Sequence, residues 1–177
     1  MVLDDIIEQG FDRIIEEIKE YSERKEELTG EVKERKAALL ARMAGQTAPL
    51  VKQIGLDMLD RGKRDTGGEL YDTRYYQKKM IVLGKVEPMT YRPDDMTKRV
   101  DTQVCVLSED GEFSELMYSS DGYTVDSYLN RITPDEVLDI YGYEIMLMLY
   151  RAMREYLQEE KELVDALEKT LAYIGKE

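Results

Sequence analysis

Residues 7–39 read IEQGFDRIIEEIKEYSERKEELTGEVKERKAAL, and large apolar side chains recur along them at alternating intervals of four and three residues. This spacing places the side chains on one face of a helix and is typical of a coiled-coil seam. Only Lys25 and Arg35 interrupt it. The apolar members are Ile7, Phe11, Ile14, Ile18, Tyr21, Leu28, Val32 and Leu39. The pattern predicts a long amphipathic helix over residues 1–44.

A second strong helix signal lies near the other end of the chain. Thr133, Pro134 and Glu136 have the spacing of a capping box, in which a hydroxyl and a carboxylate each accept a backbone N–H. They predict a helix over residues 133–174. Residues 137–149 are apolar nearly all round, which predicts burial on several sides. A second seam follows on the same helix, broken by Glu160, and consists of Met153, Leu157, Val164, Leu167, Leu171 and Ile174.

The residues between these helices change period. Pro49 predicts that the first helix stops before it and that a short second helix covers residues 47–61. Further on, apolar residues alternate with polar ones, which is the period of β-strands. Asp110-Gly111 predicts a hairpin turn because these residues readily adopt positive φ. We therefore expect three or four antiparallel strands within residues 68–125.

Together these patterns predict an α+β fold with one domain over residues 1–177. The two long terminal helices are expected to pair as an antiparallel coiled coil. This pair would bracket the short helix and a three- or four-stranded antiparallel β-meander. The alternative is that the seams pair with another subunit.

The first seam also predicts a homodimer. At 1.5 Å per residue it extends roughly 50 Å, which is longer than a small β-region covers. Its apolar stripe is also wider than one partner helix hides. The residues expected at the interface between copies are Ile7, Phe11, Ile14, Ile18, Leu28, Val32, Leu39, Leu157, Val164, Leu167 and Leu171.

The composition excludes several kinds of chemistry. The chain has no histidine and one cysteine, Cys105. It therefore lacks the commonest general base and the ligands of an ordinary structural zinc site. Carboxylates, tyrosine, lysine and serine leave catalysis open, but no residue stands out as catalytic and the sequence favours a non-enzyme. We expect no metal and no cofactor.

Charge and apolar content bear on partners and compartment. The net charge of −13 makes nucleic acid an unfavourable partner. No apolar run approaches the roughly 18 residues that a membrane-spanning helix needs. The first five residues lack the basic stretch of a signal peptide, and a single cysteine is usual in a reducing compartment. We therefore expect no membrane association and a cytoplasmic location.

One basic and aromatic cluster is a candidate binding site. Its lysines and arginines would contact phosphate, and its tyrosines would stack on bases, as in single-strand nucleic-acid binding. The alternative is a solvated strand pair whose edge is protected by charged residues. The cluster consists of Arg61, Lys63, Arg64, Tyr71, Arg74, Tyr75, Tyr76, Lys78 and Lys79.

The order of a helix with a seam, β-hairpins and a second helix with a seam resembles a prefoldin subunit. The resemblance implies a coiled coil that projects from a β-body, and a holdase activity presented at the helix tips. It departs from that layout in the helix expected at residues 47–61. The leading functional hypothesis is a non-catalytic protein interaction or scaffold module. The alternatives are a prefoldin-like holdase and a binder of a phosphate-bearing ligand.

The missing histidines and single cysteine generate the first prediction. Protein purified without chelator should contain no stoichiometric zinc or iron, because the chain cannot assemble the nitrogen and thiolate ligands that these metals prefer. Elemental analysis by mass spectrometry checks this. A molar ratio of either metal near one would contradict the prediction.

Overall fold

The computed structural model describes residues 2–175 and begins with one long helix, α1 (Val2–Ile54). The helix continues through Pro49, which lacks the backbone N–H that would bond to the carbonyl of Gly45. Thr47 does not cap a new helix. Its hydroxyl donates to the carbonyl of Met43 at 2.8 Å, as is usual inside a helix.

Tertiary packing explains why α1 does not break. Leu40, Ala44, Thr47 and Val51 recur at helical spacing and are each at most 4% exposed. They pack the last turns of α1 against the sheet, which overrides the weak helix propensity of this segment. The predicted end of the first helix near residue 44 is therefore wrong. The short helix predicted at residues 47–61 is also wrong, because its first half belongs to α1 and its last residues begin a strand.

Among residues 2–175 the chain forms six strands in one antiparallel sheet, with the spatial order β2-β1-β6-β5-β4-β3. The prediction of three or four strands within residues 68–125 is wrong because strands also form on either side of that range. The strands are β1 (Leu59–Arg64), β2 (Leu70–Tyr75), β3 (Met80–Val86), β4 (Thr102–Ser108), β5 (Phe113–Ser120) and β6 (Thr124–Ile132).

The Asp-Gly turn residues predict the positions of the hairpins more accurately than the apolar pattern predicts the strands. Gly111 connects β4 to β5 with φ of 78°, and Gly122 connects β5 to β6 with φ of 95°. The hairpin predicted at Asp110-Gly111 is confirmed. By contrast, β1 is almost entirely polar and most of β6 is half-buried on both faces, so neither strand shows the two-residue period.

Each face of the sheet carries a core, because side chains alternate along β4. Cys105 and Leu107 face a large cluster that includes Leu40 of α1 and Phe113 of β5. Val104 and Val106 face a smaller cluster with Met80 and Leu116, flanked by Met58, Tyr76, Tyr118 and Leu129. The strand at the centre of both cores is therefore buried on both sides.

The segment between α1 and β1 closes part of the sheet edge. Leu56 pairs with Met80 of β3 through two backbone hydrogen bonds of 2.8 and 3.1 Å. Gly55 makes this approach feasible, since its N–H bonds to the carbonyl of Val51 at 2.7 Å and leaves no room for a side chain. The start of β3 is thus paired on both sides.

The C-terminal helical region is divided at a glycine. Thr133 and Glu136 form the predicted capping box of α2 (Pro134–Tyr141). Gly142, at φ of 72°, ends this helix by bonding to the carbonyl of Leu138, and α3 (Glu144–Ile174) follows. The single helix predicted over residues 133–174 is therefore two helices.

The predicted terminal coiled-coil pair is also wrong. Among residues 2–175 the chain has three helices, and it divides into one unit up to Leu39 and a second from Leu40 onward. The seam residues of α1 are between 36% and 74% exposed, and those of α3 from Leu157 onward are between 51% and 69% exposed. An intrachain coiled coil would bury both seams. None of the described helices is long and apolar enough to cross a bilayer.

The glycine contacts generate the second prediction. In Gly55→Ala the new Cβ would lie 2.4 Å from the carbonyl oxygen of Val51 and 2.9 Å from Cβ of Lys79. The free energy of unfolding should fall by about 2 kcal/mol from this overpacking. In the control, Gly45→Ala, the new Cβ meets no atom within 4 Å. That variant should be more stable by up to about 1 kcal/mol, because alanine favours the helix.

Urea unfolding followed by circular dichroism measures both changes. Equal stability of Gly55→Ala and the wild type would contradict the close approach between the end of α1 and β3.

Candidate functional site

The seam on α1 is an exposed apolar surface within the first unit, and we call it the α1 stripe (Ile7 to Leu39). Phe11, Ile18 and Tyr21 are 61%, 58% and 74% exposed. The stripe is apolar except at Lys25 and Arg35, and large exposed apolar patches usually mark an interaction surface. The other stripe residues are Ile7, Ile14, Leu28, Val32 and Leu39, which are 36–61% exposed.

The remaining faces of this helix are stabilised by ion pairs within the helix itself. Arg13 pairs with Glu17 at 3.0 Å, and Arg24 pairs with Glu27 at 3.0 Å. Arg35 pairs with Glu31 at 2.6 Å. Pairs at these spacings contribute only a few tenths of a kcal/mol each. They add modestly to the stability of the helix, while the apolar residues of the α1 stripe stay exposed.

The second unit carries a further apolar groove where the end of α1 approaches α3. Its volume is about 390 Å³, and the hydroxyl of Tyr156, which lines it, donates to the side-chain carbonyl of Gln53 at 3.0 Å. The groove is lined mainly by Met43, Leu50, Leu149, Tyr150, Met153 and Leu157. The predicted interface residues Val164, Leu167 and Leu171 lie further along α3 and are exposed.

The basic residues of the predicted phosphate site are largely neutralised by nearby acids. Lys63 pairs with Asp72 at 3.0 Å, which raises the pKa of the lysine. Any phosphate would have to displace carboxylates from most of these cations. The other contacts join Arg74 to Asp60, Lys78 to Asp110, Lys79 to Asp57 and Arg64 to the carbonyl of Gly68.

The tyrosines of this cluster do not form a shared stacking surface. Tyr71 and Tyr75 lie on the exposed strand β2 and are 52% and 50% exposed. Tyr76 is half-buried, and its hydroxyl lies 2.8 Å from that of Ser127. Burial raises its pKa. The register does place Arg61 beside Arg74, and Arg61 has no ion-pair partner within residues 2–175.

No pattern in the sequence predicted the buried arginine of the second unit. The side chain of Arg92 is 5% exposed and bonds to Asp94 at 2.6 and 2.9 Å and to Asp126 at 2.8 Å. Lys98 also contacts Asp126, and the guanidinium lies 5.9 Å from the ring centre of Tyr128. These contacts fasten the connection between β3 and β4 to β6, so the network holds the fold together.

A second buried polar cluster lies under α2. Glu115 accepts a hydrogen bond of 2.9 Å from the amide of Gln103 and one of 3.3 Å from the hydroxyl of Tyr141. Burial and then the charge of Glu115 raise the pKa of the neighbouring Cys105 to about 12. The thiol is therefore protonated at neutral pH and is a poor nucleophile.

The comparisons with known proteins add no function. No family model, curated protein or solved structure matches this chain. Within residues 2–175 no three carboxylate or thiol side chains are grouped so that they could hold a metal ion.

The Arg92 network generates the third prediction. Arg92→Ala should lower the free energy of unfolding by about 3 kcal/mol, because it leaves Asp94 and Asp126 half-buried and short of a cation. Arg74→Ala is the matched control, since its side chain is 63% exposed. Removal of that surface pair should cost less than about 1 kcal/mol. Chemical denaturation at neutral pH compares the two variants, and similar losses would contradict the structural role of Arg92.

The pH dependence of stability provides an independent check of this network. The Arg92 guanidinium lowers the pKa of Asp94 below its ordinary value. The unfolded chain then takes up a proton from roughly pH 4 downward, before the native state does. Native stability should fall as the pH drops through this window toward the lower native pKa. The fall should be shallower in Arg92→Ala.

Proposed function

We propose that this chain is a non-catalytic protein interaction or scaffold module and that its binding surface is the α1 stripe. The observation that carries the proposal is the exposure of eight large apolar side chains at strict coiled-coil spacing on one helix. Such spacing presents knobs and holes that another helix fits. The partner supplies the burial that the chain itself does not give these residues.

The energetics favour occupation of the stripe. At roughly 25 cal/mol per Å², removing 800 Å² of apolar surface from water contributes about 20 kcal/mol before costs are subtracted. The loss of translational and rotational freedom on association costs about 4–15 kcal/mol. A partner helix that covers the stripe therefore leaves a favourable balance, even after some side chains are ordered.

The second unit supports a scaffold more than an enzyme. Its buried ionisable groups have partners: Arg92 is bonded to two aspartates, and Glu115 to Gln103 and Tyr141. Cys105 is fully buried and its thiol holds its proton. Groups saturated in this way hold the fold and offer no poised acid, base or nucleophile to a substrate.

A holdase is the second candidate, because apolar side chains are strongly exposed near a helix end. Leu3, Ile6 and Ile7 at the start of α1 are 70%, 59% and 61% exposed, and Leu171 and Ile174 at the end of α3 are 69% and 61% exposed. Such residues would contact unfolded clients. Suppression of the aggregation of a chemically denatured client at substoichiometric amounts favours this candidate, and a lack of suppression removes it.

The α1 stripe generates the fourth prediction. A benzoylphenylalanine photo-cross-linker in place of Tyr21, in the full chain inside cells, should form a covalent adduct with the partner. Ile18→Glu should abolish the adduct, because it places a carboxylate in the apolar interface. Lys19→Gln lowers the net charge by the same amount but lies off the stripe, so its adduct should persist.

Gel mobility and mass spectrometry identify the cross-linked chains, whether they are a second copy or another protein. An absence of adducts at Tyr21, or equal adducts in both variants, would contradict the α1 stripe as the binding surface.

A further inference from the structure

We propose that the partner of the α1 stripe is the α1 stripe of a second copy of this chain, and that the two helices run antiparallel with Ile7 opposite the partner's Leu39. The inference rests on the proposed function and names its partner. Its evidence is the placement of the two charged residues, Lys25 and Arg35, within the seam. Their positions distinguish one orientation and register from the others.

A parallel pair would juxtapose like charges. In a parallel, in-register coiled coil each seam residue faces its own counterpart. Lys25 would then lie against the partner's Lys25, and Arg35 against the partner's Arg35. Two cation pairs would be held inside an apolar seam from which water is largely excluded, which is costly. No seam position carries a carboxylate. Arg35 is paired with Glu31 of its own helix at 2.6 Å, so the cost of a parallel pair falls mainly on the two Lys25 side chains.

The antiparallel pair with full overlap places both cations against aromatic rings. When Ile7 lies opposite the partner's Leu39, Lys25 lies opposite the partner's Tyr21 and Arg35 opposite the partner's Phe11. A cation over an aromatic face is attracted by the ring, and the aliphatic stems of both side chains pack on its edge. The two interruptions of the seam and its two aromatic residues are therefore complementary across a twofold axis.

The remaining layers of this register are apolar on both sides. Ile14 lies opposite the partner's Val32, and Ile18 lies opposite the partner's Leu28. A shift of one heptad in one direction leaves Arg35 and Leu39 without seam partners, and a shift in the other leaves Ile7 and Phe11 without them. Full overlap is thus the register that matches every seam position.

The positions flanking the seam do not choose the orientation. In this register Glu8 lies near the partner's Lys36, which is favourable, whereas Glu17 lies near the partner's Glu31 and Arg24 near the partner's Arg24, which are not. Glu17 and Glu31 are each paired with an arginine of their own helix. Ion pairs at exposed flanks contribute little. The layers inside the seam therefore decide the register.

The area is sufficient for a stable dimer. The ten seam positions of each copy are largely exposed. Hiding roughly 80 Å² at each position would bury about 1,600 Å² over the two copies, which is the size of a standard stable interface. A second copy is also always present at the concentration of the chain itself.

Cysteine cross-linking in the full chain tests this register and generates the fifth prediction. Ile14→Cys and Val32→Cys are made separately and carry different tags. Co-expressed, they should form a mixed dimer that a short bismaleimide joins, because residue 14 faces the partner's residue 32. Each variant alone should give no cross-linked dimer. The wild type reports any reaction of the buried Cys105.

The outcomes separate this inference from the proposed function. Cross-linking of Ile14→Cys alone means a parallel pair and overturns the inference. A dimer mass by light scattering without the mixed cross-link overturns the register. A single-chain mass near 20.6 kDa at micromolar concentration overturns self-association. If the chain is a monomer but forms a photo-adduct from position 21 to another protein, the proposed function still holds. If the chain is a monomer and forms no adduct, the proposed function and this inference are both wrong.

Discussion

The packing of the last turns of α1 against the sheet is the contact on which the rest of the structure depends. Gly45 and Pro49 together disfavour a helix by about 4 kcal/mol relative to alanine. Burial of Leu40 and Val51, both 0% exposed, contributes about 1.5–3 kcal/mol for each side chain, and the buried Ala44 adds to this. Burial therefore offsets the propensity, and α1 runs through both residues. One helix then carries core residues in its last turns and a solvated apolar stripe in its earlier ones.

Charge pairing occupies many of the cations in the locally basic segment. Residues 45–99 carry 11 bases and 8 acids, yet several cations pair with acids from outside the segment, such as Asp110 and Asp126. Exposed pairs add little stability, but each occupies a cation that a phosphate would otherwise bind. The buried Arg92 differs, because its two partners are half-buried. Its loss would leave Asp94 without an ion-pair partner within residues 2–175 and Asp126 with Lys98 alone.

Local signals in the sequence predicted local structure, and failed where long-range contacts decide. The capping box at Thr133 and the turn at Asp110-Gly111 depend on neighbouring atoms, so short motifs identify them. The continuation of α1 depends on a sheet that lies later in the chain. Strand β6 has no clean alternation because both of its faces are half-buried, and Arg92 could not be assigned a role without it. The sequence shows the spacing of the α1 stripe directly. The same spacing occurs in seams that are buried by a second helix and in seams that are exposed, so the exposure of the stripe residues could not be predicted.

Lys25 and Arg35 link the physical chemistry of the stripe to selectivity. A seam with leucine or isoleucine at these two positions would bind more tightly, but it would accept almost any apolar helix in either orientation. A charged residue in the seam weakens every complex. The effect is strongest in complexes that place the charge against another cation or against an aliphatic layer. Selectivity is a difference between the affinities for two partners. A residue that lowers both affinities therefore raises selectivity when it lowers the affinity for the wrong partner more. The same two charges keep the uncovered stripe hydrated and interrupt its apolar surface, which limits aggregation of the free chain. A stripe built in this way suits a module whose interaction must be specific.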